Sequence, residues 1–193
     1  MFYDSCIGST GSGKTKSLVN FLSLKNDAFH KIIIFSASTL DEPLYSYLGS
    51  KIPELEMYNN IDELPALATY DDDEKGNEKL IVFDDFINLK KKEMTKINEF
   101  LTSGRKFGFS VFCMAQNYTS IPKIISRNSH YFIVFRLNDN TSINNIIRNH
   151  NTTDMKKEDF KKEYLKATED KGDFFLIDLK NPNKPLRKNF IPL

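Results

Sequence analysis

The chain has 193 residues, of which 40% are hydrophobic and 27% are charged, and its formal net charge is +1. This length suits a single domain, and the near-neutral charge argues against a protein that coats nucleic acid with its whole surface but leaves room for a local basic face. No apolar run approaches the roughly 18 residues of a membrane span, and no signal-peptide pattern opens the chain, so we expect an intracellular protein.

The first predicted strand, Phe2 to Ile7, leads directly into a phosphate-binding loop. Residues 8–15 complete the pattern G-x-x-x-x-G-K-[ST], and a helical stretch from Lys14 to Leu24 follows. Strand, loop and helix are the context that this motif requires. The predicted nucleotide ligands are the eight residues of the motif: Gly8, Ser9, Thr10, Gly11, Ser12, Gly13, Lys14 and Thr15.

The chemistry of this loop predicts a nucleoside triphosphate with Mg²⁺. The glycines let backbone N–H groups turn towards a polyphosphate, at a helix N-terminus whose dipole favours anions. Lys14 is expected to reach the β- and γ-phosphates, and the Thr15 hydroxyl is expected to hold Mg²⁺. A glycine-rich surface turn is the less favoured interpretation.

Four more apolar runs predict an α/β fold with a mostly parallel sheet. Their length and their content of Ile, Val and Phe are typical of parallel strands that are buried on both faces. Asp4 interrupts the first strand where an apolar residue is expected. Cys6 and Cys113 lie in apolar strands without metal-ligand spacing, which predicts buried free thiols. The second to fifth predicted strands are Ile32–Phe35, Leu80–Phe83, Val111–Ala115 and Tyr131–Phe135.

The third predicted strand ends in two carboxylates, Asp84 and Asp85, which is the form of a Walker B motif. Asp84 is expected to hold a Mg²⁺-bound water opposite Thr15, because Mg²⁺ prefers oxygen ligands and keeps several waters. Asp85 is expected to polarise the attacking water, as an ATPase requires and a simple nucleotide switch does not.

A helix is predicted from Lys90 to Ser103, where Gly104 ends it. Its first residues, Lys90 to Lys92, form a basic cluster with Lys96. A solvated helix face is the commoner interpretation of such a cluster, and contact with DNA is the alternative. The acidic stretch from Asp71 to Lys79, which precedes the third strand, is predicted to be a solvated loop.

Two more residues around the fourth strand are candidates for catalysis. Gln116 follows this strand and could sense the γ-phosphate, although a surface amide is the alternative. Arg105 precedes the strand, at the edge away from its own nucleotide, so it could complete the site of a neighbouring subunit. An ordinary cation at a helix C-terminus is an equal alternative for Arg105. The other candidates for such an arginine finger are Arg127, Arg136 and Arg148.

The last third of the chain is predicted to add helices and one strand to a core formed by residues 1–150. The helices are Ser142–Asn149 and Asp154–Ala167, with Thr152, Thr153 or Asp154 as the N-cap of the second. Phe174 to Leu179 is predicted to be a strand. The prolines that follow predict an irregular tail.

The phosphate loop, the Phe-Asp-Asp end of the third strand and the block from Gly104 to Pro122 resemble the viral genome-packaging ATPases of the FtsK/HerA superfamily. The block reads Gly-Arg-Lys-Phe-Gly-Phe-Ser-Val-Phe-Cys-Met-Ala-Gln-Asn-Tyr-Thr-Ser-Ile-Pro, and Ile-Ile-Ser-Arg-Asn-Ser follows at residues 124–129. The resemblance covers about residues 1–150. The superfamily includes the packaging ATPases of poxviruses, other large nucleocytoplasmic DNA viruses and virophages.

The resemblance implies a RecA-like core with strand order 5-1-4-3-2 and residues 1–193 as a single ATPase domain. It also implies ATP hydrolysis with Mg²⁺, a homomeric ring of five or six subunits, and transport of double-stranded DNA into a capsid or portal vertex. The implied location is the host cytoplasm, a virus factory or the virion. By motif position, Asp84 is the metal acid, Asp85 the catalytic acid, Gln116 the sensor and Arg105 the finger.

Two other functions use a phosphate loop and remain as alternatives. A nucleoside or nucleotide kinase usually clamps its second substrate with several arginines, and this chain has few. A non-catalytic assembly protein that is switched by ATP would not need the Asp84–Asp85 pair or Gln116.

Overall fold

The computed structural model describes residues 2–25, 28–37, 43–52, 54–70, 78–86, 89–153 and 155–193. The chain forms two compact units, the first from Met1–Tyr3 and Thr15–Met114 and the second from Asp4–Lys14 and Ala115–Leu193. The described strands are β1 Tyr3–Ile7, β2 Lys31–Ser36, β3 Leu55–Tyr58, β4 Lys79–Asp84, β5 Phe109–Ala115, β6 Tyr131–Val134, β7 Phe175–Asp178, β8 Leu186–Lys188 and β9 Ile191–Pro192. The described helices are α1 Lys14–Lys25, α2 Pro43–Lys51, α3 Lys91–Ser103, α4 Lys123–Asn128, α5 Asn140–His150 and α6 Lys157–Ala167.

The first unit contains four parallel strands in the order β3-β2-β4-β5. Every residue of β4 and β5 is buried, which explains why both strands read as continuous apolar runs. The pairing brings Asp84 beside Ser36 on one side and Met114 on the other. The Walker B carboxylate therefore lies at the edge of the sheet where the strands end.

The second unit pairs β1 with β6 in parallel, and β7, β8 and β9 then add antiparallel strands beyond β6. Asp4, the charged residue of β1, is buried and accepts a hydrogen bond of 3.2 Å from the Tyr131 backbone N–H. Burial raises the pKa of Asp4 to about 8. The strand thus accommodates this carboxyl in its neutral form at neutral pH.

The strand pairs that the predicted order requires are present within each unit. Strands that the sequence did not predict are also present. Within the first unit, Val111 N–H donates to Phe2 O at 2.9 Å, and within the second, Gly8 N–H donates to Ala115 O at 3.1 Å. Both contacts join the chain around β1 to β5. The unpredicted strands are β3, β8 and β9.

Two predictions about local structure need correction, and the helices α2 and α4 were not predicted. The tail is not irregular, because β8 and β9 pair antiparallel to each other. Helix α6 begins at Lys157 with Lys156 as its N-cap, so neither Thr152 nor Thr153 caps it. Asn151 instead donates to Met155 O and accepts from the Thr153 hydroxyl.

Several smaller predictions have definite outcomes. Both cysteines are buried and neither is in a disulfide, and burial raises the pKa of the Cys113 thiol. Within the described part of the chain, no helix is long and apolar enough to cross a membrane. Residues 71–77 of the predicted acidic loop, and Asp154, lie outside the described residues.

Candidate nucleotide-binding site

The phosphate loop of the second unit is held by its own lysine. Lys14 Nζ donates to the backbone carbonyls of Gly8 at 2.7 Å and Ser9 at 3.3 Å, and Ser12 N–H closes a turn onto Ser9 O at 3.1 Å. The buried ammonium group therefore lies across the loop, where its partners are carbonyl oxygens. A phosphate oxygen is a stronger acceptor than a carbonyl, so this lysine can exchange partners when a polyphosphate binds.

Two glycines of the loop are required by its shape. Gly13 has a φ of +110°, a conformation that is strained for residues with a side chain. At Gly8 a Cβ atom would collide with Ser12 Oγ and would lie 2.7 Å from Phe135 Cβ. The loop therefore needs glycine at position 13 for its turn and glycine at position 8 for its packing on Phe135.

Ser12 supplies a second sign that the loop is built for a ligand. Its Oγ is buried and has no hydrogen-bond partner among the described residues. A buried hydroxyl without a partner costs about 1–3 kcal/mol, so such groups are usually found where a ligand or water completes them. The site thus combines a hydroxyl, an ammonium group and glycine-rich backbone, the donor set that a polyphosphate needs.

An open cleft of about 390 Å³ lies beside this loop, and a segment that sequence analysis did not single out forms its other wall. Residues 9–12 line one side, and Arg136 and residues 168–173 line the other. Ser9 Oγ donates to Arg136 O at 3.2 Å, and Arg136 Nη1 donates to Leu165 O at 3.1 Å. We call this space the phosphate-loop cleft. It places Arg136 beside the phosphate loop of its own chain.

The segment 168–173 is fixed by contacts with the C-terminal strands. Lys188 Nζ lies 2.8 Å from Asp173 Oδ2 and 3.7 Å from Asp170 Oδ2, and Asn189 Nδ2 donates to Asp173 Oδ1 at 2.9 Å. The hydrogen bonds from Lys188 and Asn189 lower the pKa of Asp173. The tail that looked irregular in sequence therefore holds one wall of the phosphate-loop cleft.

In the first unit, Asp84 accepts a hydrogen bond from a tyrosine that sequence analysis did not predict to be near it. The Asp84 carboxylate is buried, and Tyr45 OH, on α2, donates to its Oδ2 at 2.5 Å. Tyr45 is itself buried, so this charge-assisted hydrogen bond fixes the carboxylate in one orientation. Thr15, the other predicted metal ligand, belongs to the same unit and is half-buried.

Asp85 follows with a backbone conformation that few residues adopt. Its φ is +47°, in the left-handed region that costs a non-glycine residue roughly 1–2 kcal/mol. The chain turns sharply at this residue as β4 ends, and Asp85 is half-buried whereas Asp84 is buried. The two adjacent carboxylates therefore have different environments. Strain of this kind is commonly stored at functional sites.

Gln116 lies next to the phosphate loop in the second unit. It follows Ala115, whose carbonyl accepts the Gly8 N–H hydrogen bond at 3.1 Å, and its side chain is exposed. The structure thus groups Gln116, Lys14 and Arg136 in one unit. Its predicted role as a sensor stays a prediction.

Arg105 lies far along the strands from Asp84. It belongs to a short 3₁₀ turn, Gly104–Phe107, just before β5, whereas Asp84 ends the parallel strand β4. The Arg105 side chain is exposed, and its charge partly offsets the burial that raises the pKa of Tyr3. This is the predicted position, at the edge opposite to the Walker B carboxylate. The role as a finger remains to be tested.

The other basic candidates have different surroundings. Lys96 Nζ donates to Ile61 O at 3.0 Å and Asp62 O at 3.4 Å, so this lysine braces its own unit. The side chains of residues 90–92 are exposed at the start of α3. Arg127 and Arg148 line a second cleft of the second unit.

No group of three or more His, Cys, Asp or Glu side chains among the described residues could hold a metal ion. A Mg²⁺ site of the phosphate-loop type does not need such a group, because it uses one hydroxyl, one carboxylate, phosphate oxygens and water. Thr15 and Asp84 are the predicted protein ligands of such a site.

Comparisons with known proteins agree with this architecture. The poxvirus A32 protein family matches residues 1–170, and no curated protein gives a significant match. B204, the DNA-packaging ATPase from Sulfolobus turreted icosahedral virus, is 14% identical with a TM-score of 0.70 over 100% of this chain and 98% of that one. The genome packaging NTPase B204 from Sulfolobus turreted icosahedral virus 2, in complex with AMPPCP, is 15% identical with a TM-score of 0.68 and the same coverage.

A more distant match is EssC (ATPases 2 and 3) from Geobacillus thermodenitrificans. It is 12% identical with a TM-score of 0.63, over 99% of this chain and 39% of that one. At these identities the three structures show a shared fold, and they confirm the predicted α/β fold with a mostly parallel sheet.

Proposed function

Because this chain belongs to the poxvirus A32 protein family, we propose that it is an ATPase that drives double-stranded DNA into a viral capsid. The observation that carries the proposal is the preformed phosphate loop, with Lys14 Nζ at 2.7 Å from Gly8 O and the unpartnered Ser12 hydroxyl beside it. The fold shared with B204, which was solved with AMPPCP, supports the choice of ATP.

In the proposed reaction, water attacks the γ-phosphate of ATP, and ADP and phosphate leave. Lys14 binds the β- and γ-phosphates, and the backbone N–H groups of residues 9–13 surround them. Asp85 accepts a hydrogen bond from the attacking water and orients it, and Gln116 contacts the γ-phosphate. Thr15 and Asp84 would hold Mg²⁺, which would supply positive charge to offset that of the phosphates.

The proposal includes assembly. Arg105 is exposed at the edge opposite to Asp84, so it reaches a nucleotide only if that nucleotide belongs to a neighbouring subunit. A ring of five or six copies supplies such neighbours and encloses the DNA. The capsid or portal vertex is the proposed docking partner, and the host cytoplasm, virus factory or virion is the proposed location.

Exchange of Lys14 for alanine tests the nucleotide site. Lys14→Ala should lose most of its affinity for ATP, and turnover should fall roughly 10²- to 10³-fold or more, because the cation aimed at the phosphates is gone. Lys16→Ala is the matched control, since Lys16 is an exposed lysine on the first turn of the same helix.

The products of the same assay distinguish the alternatives. Phosphate released to water supports the ATPase, whereas transfer to an added nucleoside or nucleotide would identify a kinase. Binding without any turnover, even at high protein concentration, would identify an assembly protein that ATP only switches. Wild-type affinity in a folded Lys14→Ala protein would refute the nucleotide site itself.

A further inference from the structure

The larger described cleft of the second unit lies away from the phosphate loop. It has a volume of about 720 Å³, and residues from the turn after β5, from α4 and from α5 line it, with Leu179. Three cations line it: Lys123, Arg127 and Arg148. Its described lining residues include no carboxylate. We call this space the basic cleft.

The three cations are free to reach a ligand. All three side chains are exposed, and Lys123 and Arg127 lie one turn apart on α4, separated by a rise of about 6 Å. Arg127 and Arg148 lie in the last turns of their helices, where a cation complements the helix dipole. Lys123 is the first residue of α4, where a cation opposes the dipole. The helix dipole alone therefore does not explain the cluster.

Neutral, hydrogen-bonded side chains form the floor of the basic cleft. Tyr118 OH lies 2.8 Å from His150 Nε2 and accepts a hydrogen bond from Asn149 Nδ2 at 3.1 Å. Burial lowers the pKa of His150 to about 4, so the imidazole is neutral at physiological pH. This network joins the turn after β5 to α5 and fixes the cleft between them.

We propose that the basic cleft binds the phosphate backbone of double-stranded DNA, an inference that rests on the proposed function. Three unopposed cations suit a chain of phosphates, and Lys123 and Arg127, one turn apart on α4, can contact phosphates of the same strand. The aromatic rings among the described lining residues, Tyr118 and His150, are buried and cannot stack on bases. This favours contact with a duplex backbone over contact with unpaired bases.

Duplex binding without nucleotide tests the inference. The probe is a fluorescent DNA duplex of about 30 base pairs, titrated with protein between about 50 and 200 mM NaCl. Arg127→Gln/Arg148→Gln should bind about 10- to 100-fold more weakly, and the slope of log affinity against log salt should shrink by about 2. Arg127→Lys/Arg148→Lys, which keeps both charges, should retain most of the affinity and the slope.

A second control corrects for the loss of net charge. Lys162 and Lys166 are exposed on α6 and do not line the cleft, so Lys162→Gln/Lys166→Gln should leave the salt slope nearly unchanged. Equal losses in the two glutamine variants would overturn the inference. Unchanged duplex affinity in the arginine variant, with or without a fall in ATP turnover, would also overturn it and leave the proposed function standing. A wild-type protein that hydrolyses ATP but binds no duplex would refute both.

Discussion

The two clefts of the second unit differ in the sign of the charges that line them. The phosphate-loop cleft carries cations, Arg136 and Lys171, together with carboxylates in the segment 168–173. The basic cleft carries three cations, and no described carboxylate lines it. Mixed charge suits a small ligand with a metal ion and hydroxyl groups, whereas charge of one sign suits a long polyanion.

The position of each cleft on the sheet reinforces this difference. The phosphate loop follows the end of β1, and β6 runs parallel to β1. Leu179, at the basic cleft, donates its N–H to His130 O just before β6 begins, at 2.9 Å. The basic cleft thus extends to the edge of these strands that is opposite to the phosphate loop. One unit can in this way bind nucleotide and DNA at separate places.

The largest expected effect concerns Arg105. Its outcome bears on whether the two clefts bind different ligands. If Arg105 completes the site of a neighbouring subunit, Arg105→Ala should lower turnover by about 10³- to 10⁵-fold. Mixing Arg105→Ala with Lys14→Ala protein should then restore partial activity, because some interfaces pair an intact phosphate loop with an intact arginine. ATP hydrolysis by the mixture is the measurement.

The control for this experiment mixes Arg105→Ala protein with the Lys14→Ala/Arg105→Ala double variant, which can form no intact interface. If the first mixture co-assembles and stays inactive, Arg105 does not act on a neighbour. Arg127 and Arg148 would become the next candidates, and the basic cleft would then serve a nucleotide.

A smaller effect separates the two Walker B carboxylates. Asp85→Asn should bind ATP with Mg²⁺ normally but lose roughly 10²- to 10⁴-fold in turnover, because asparagine tolerates the left-handed backbone but is not a base. Asp84→Asn should instead weaken the dependence of binding on Mg²⁺. Nucleotide affinity with and without Mg²⁺, measured beside single-turnover rates, checks both variants, and identical phenotypes would contradict separate roles.

The sequence predicted the parts of the site that local chemistry dictates. The glycines at 8 and 13 are needed for the turn of the loop, and the strands β4 and β5 are buried on both faces, so both features appear as patterns. The resemblance to packaging ATPases is confirmed by the family match.

Other residues of the site are far from it in sequence, and no local sequence pattern predicts them. Tyr45 meets Asp84 across 39 positions of the chain, from a helix that the sequence did not predict. The segment 168–173 reads as an ordinary charged turn until Lys188 and Asn189 fix it. Short strands at the end of the sheet, such as β9 with two residues, are too brief for a period-2 pattern to reveal.

A further expected effect is on stability, and it concerns the buried carboxyl of β1. Between the ordinary carboxyl pKa of about 4 and the folded value of about 8, folded Asp4 keeps a proton that the unfolded chain releases. Stability should therefore fall as pH rises through this range, by at most about 1.4 kcal/mol per pH unit. Asp4→Asn removes this dependence.

Urea unfolding at about pH 5 and pH 8 checks the prediction, because the variant should gain stability relative to wild type at the higher pH. Glu158→Gln, at an exposed position, is the control and should show the wild-type pH dependence. An unchanged dependence in Asp4→Asn would show that Asp4 is ionised in the folded protein, and that a negative charge lies where β1 begins.

The most direct test of the central claim is the rate of ATP hydrolysis as duplex DNA is added. A motor that binds nucleotide and DNA at separate clefts should hydrolyse ATP several-fold faster with duplex present. The DNA concentration for half-maximal stimulation should rise in Arg127→Gln/Arg148→Gln by the same factor as the loss of duplex affinity. Wild-type turnover that does not respond to duplex DNA at any concentration would contradict the account.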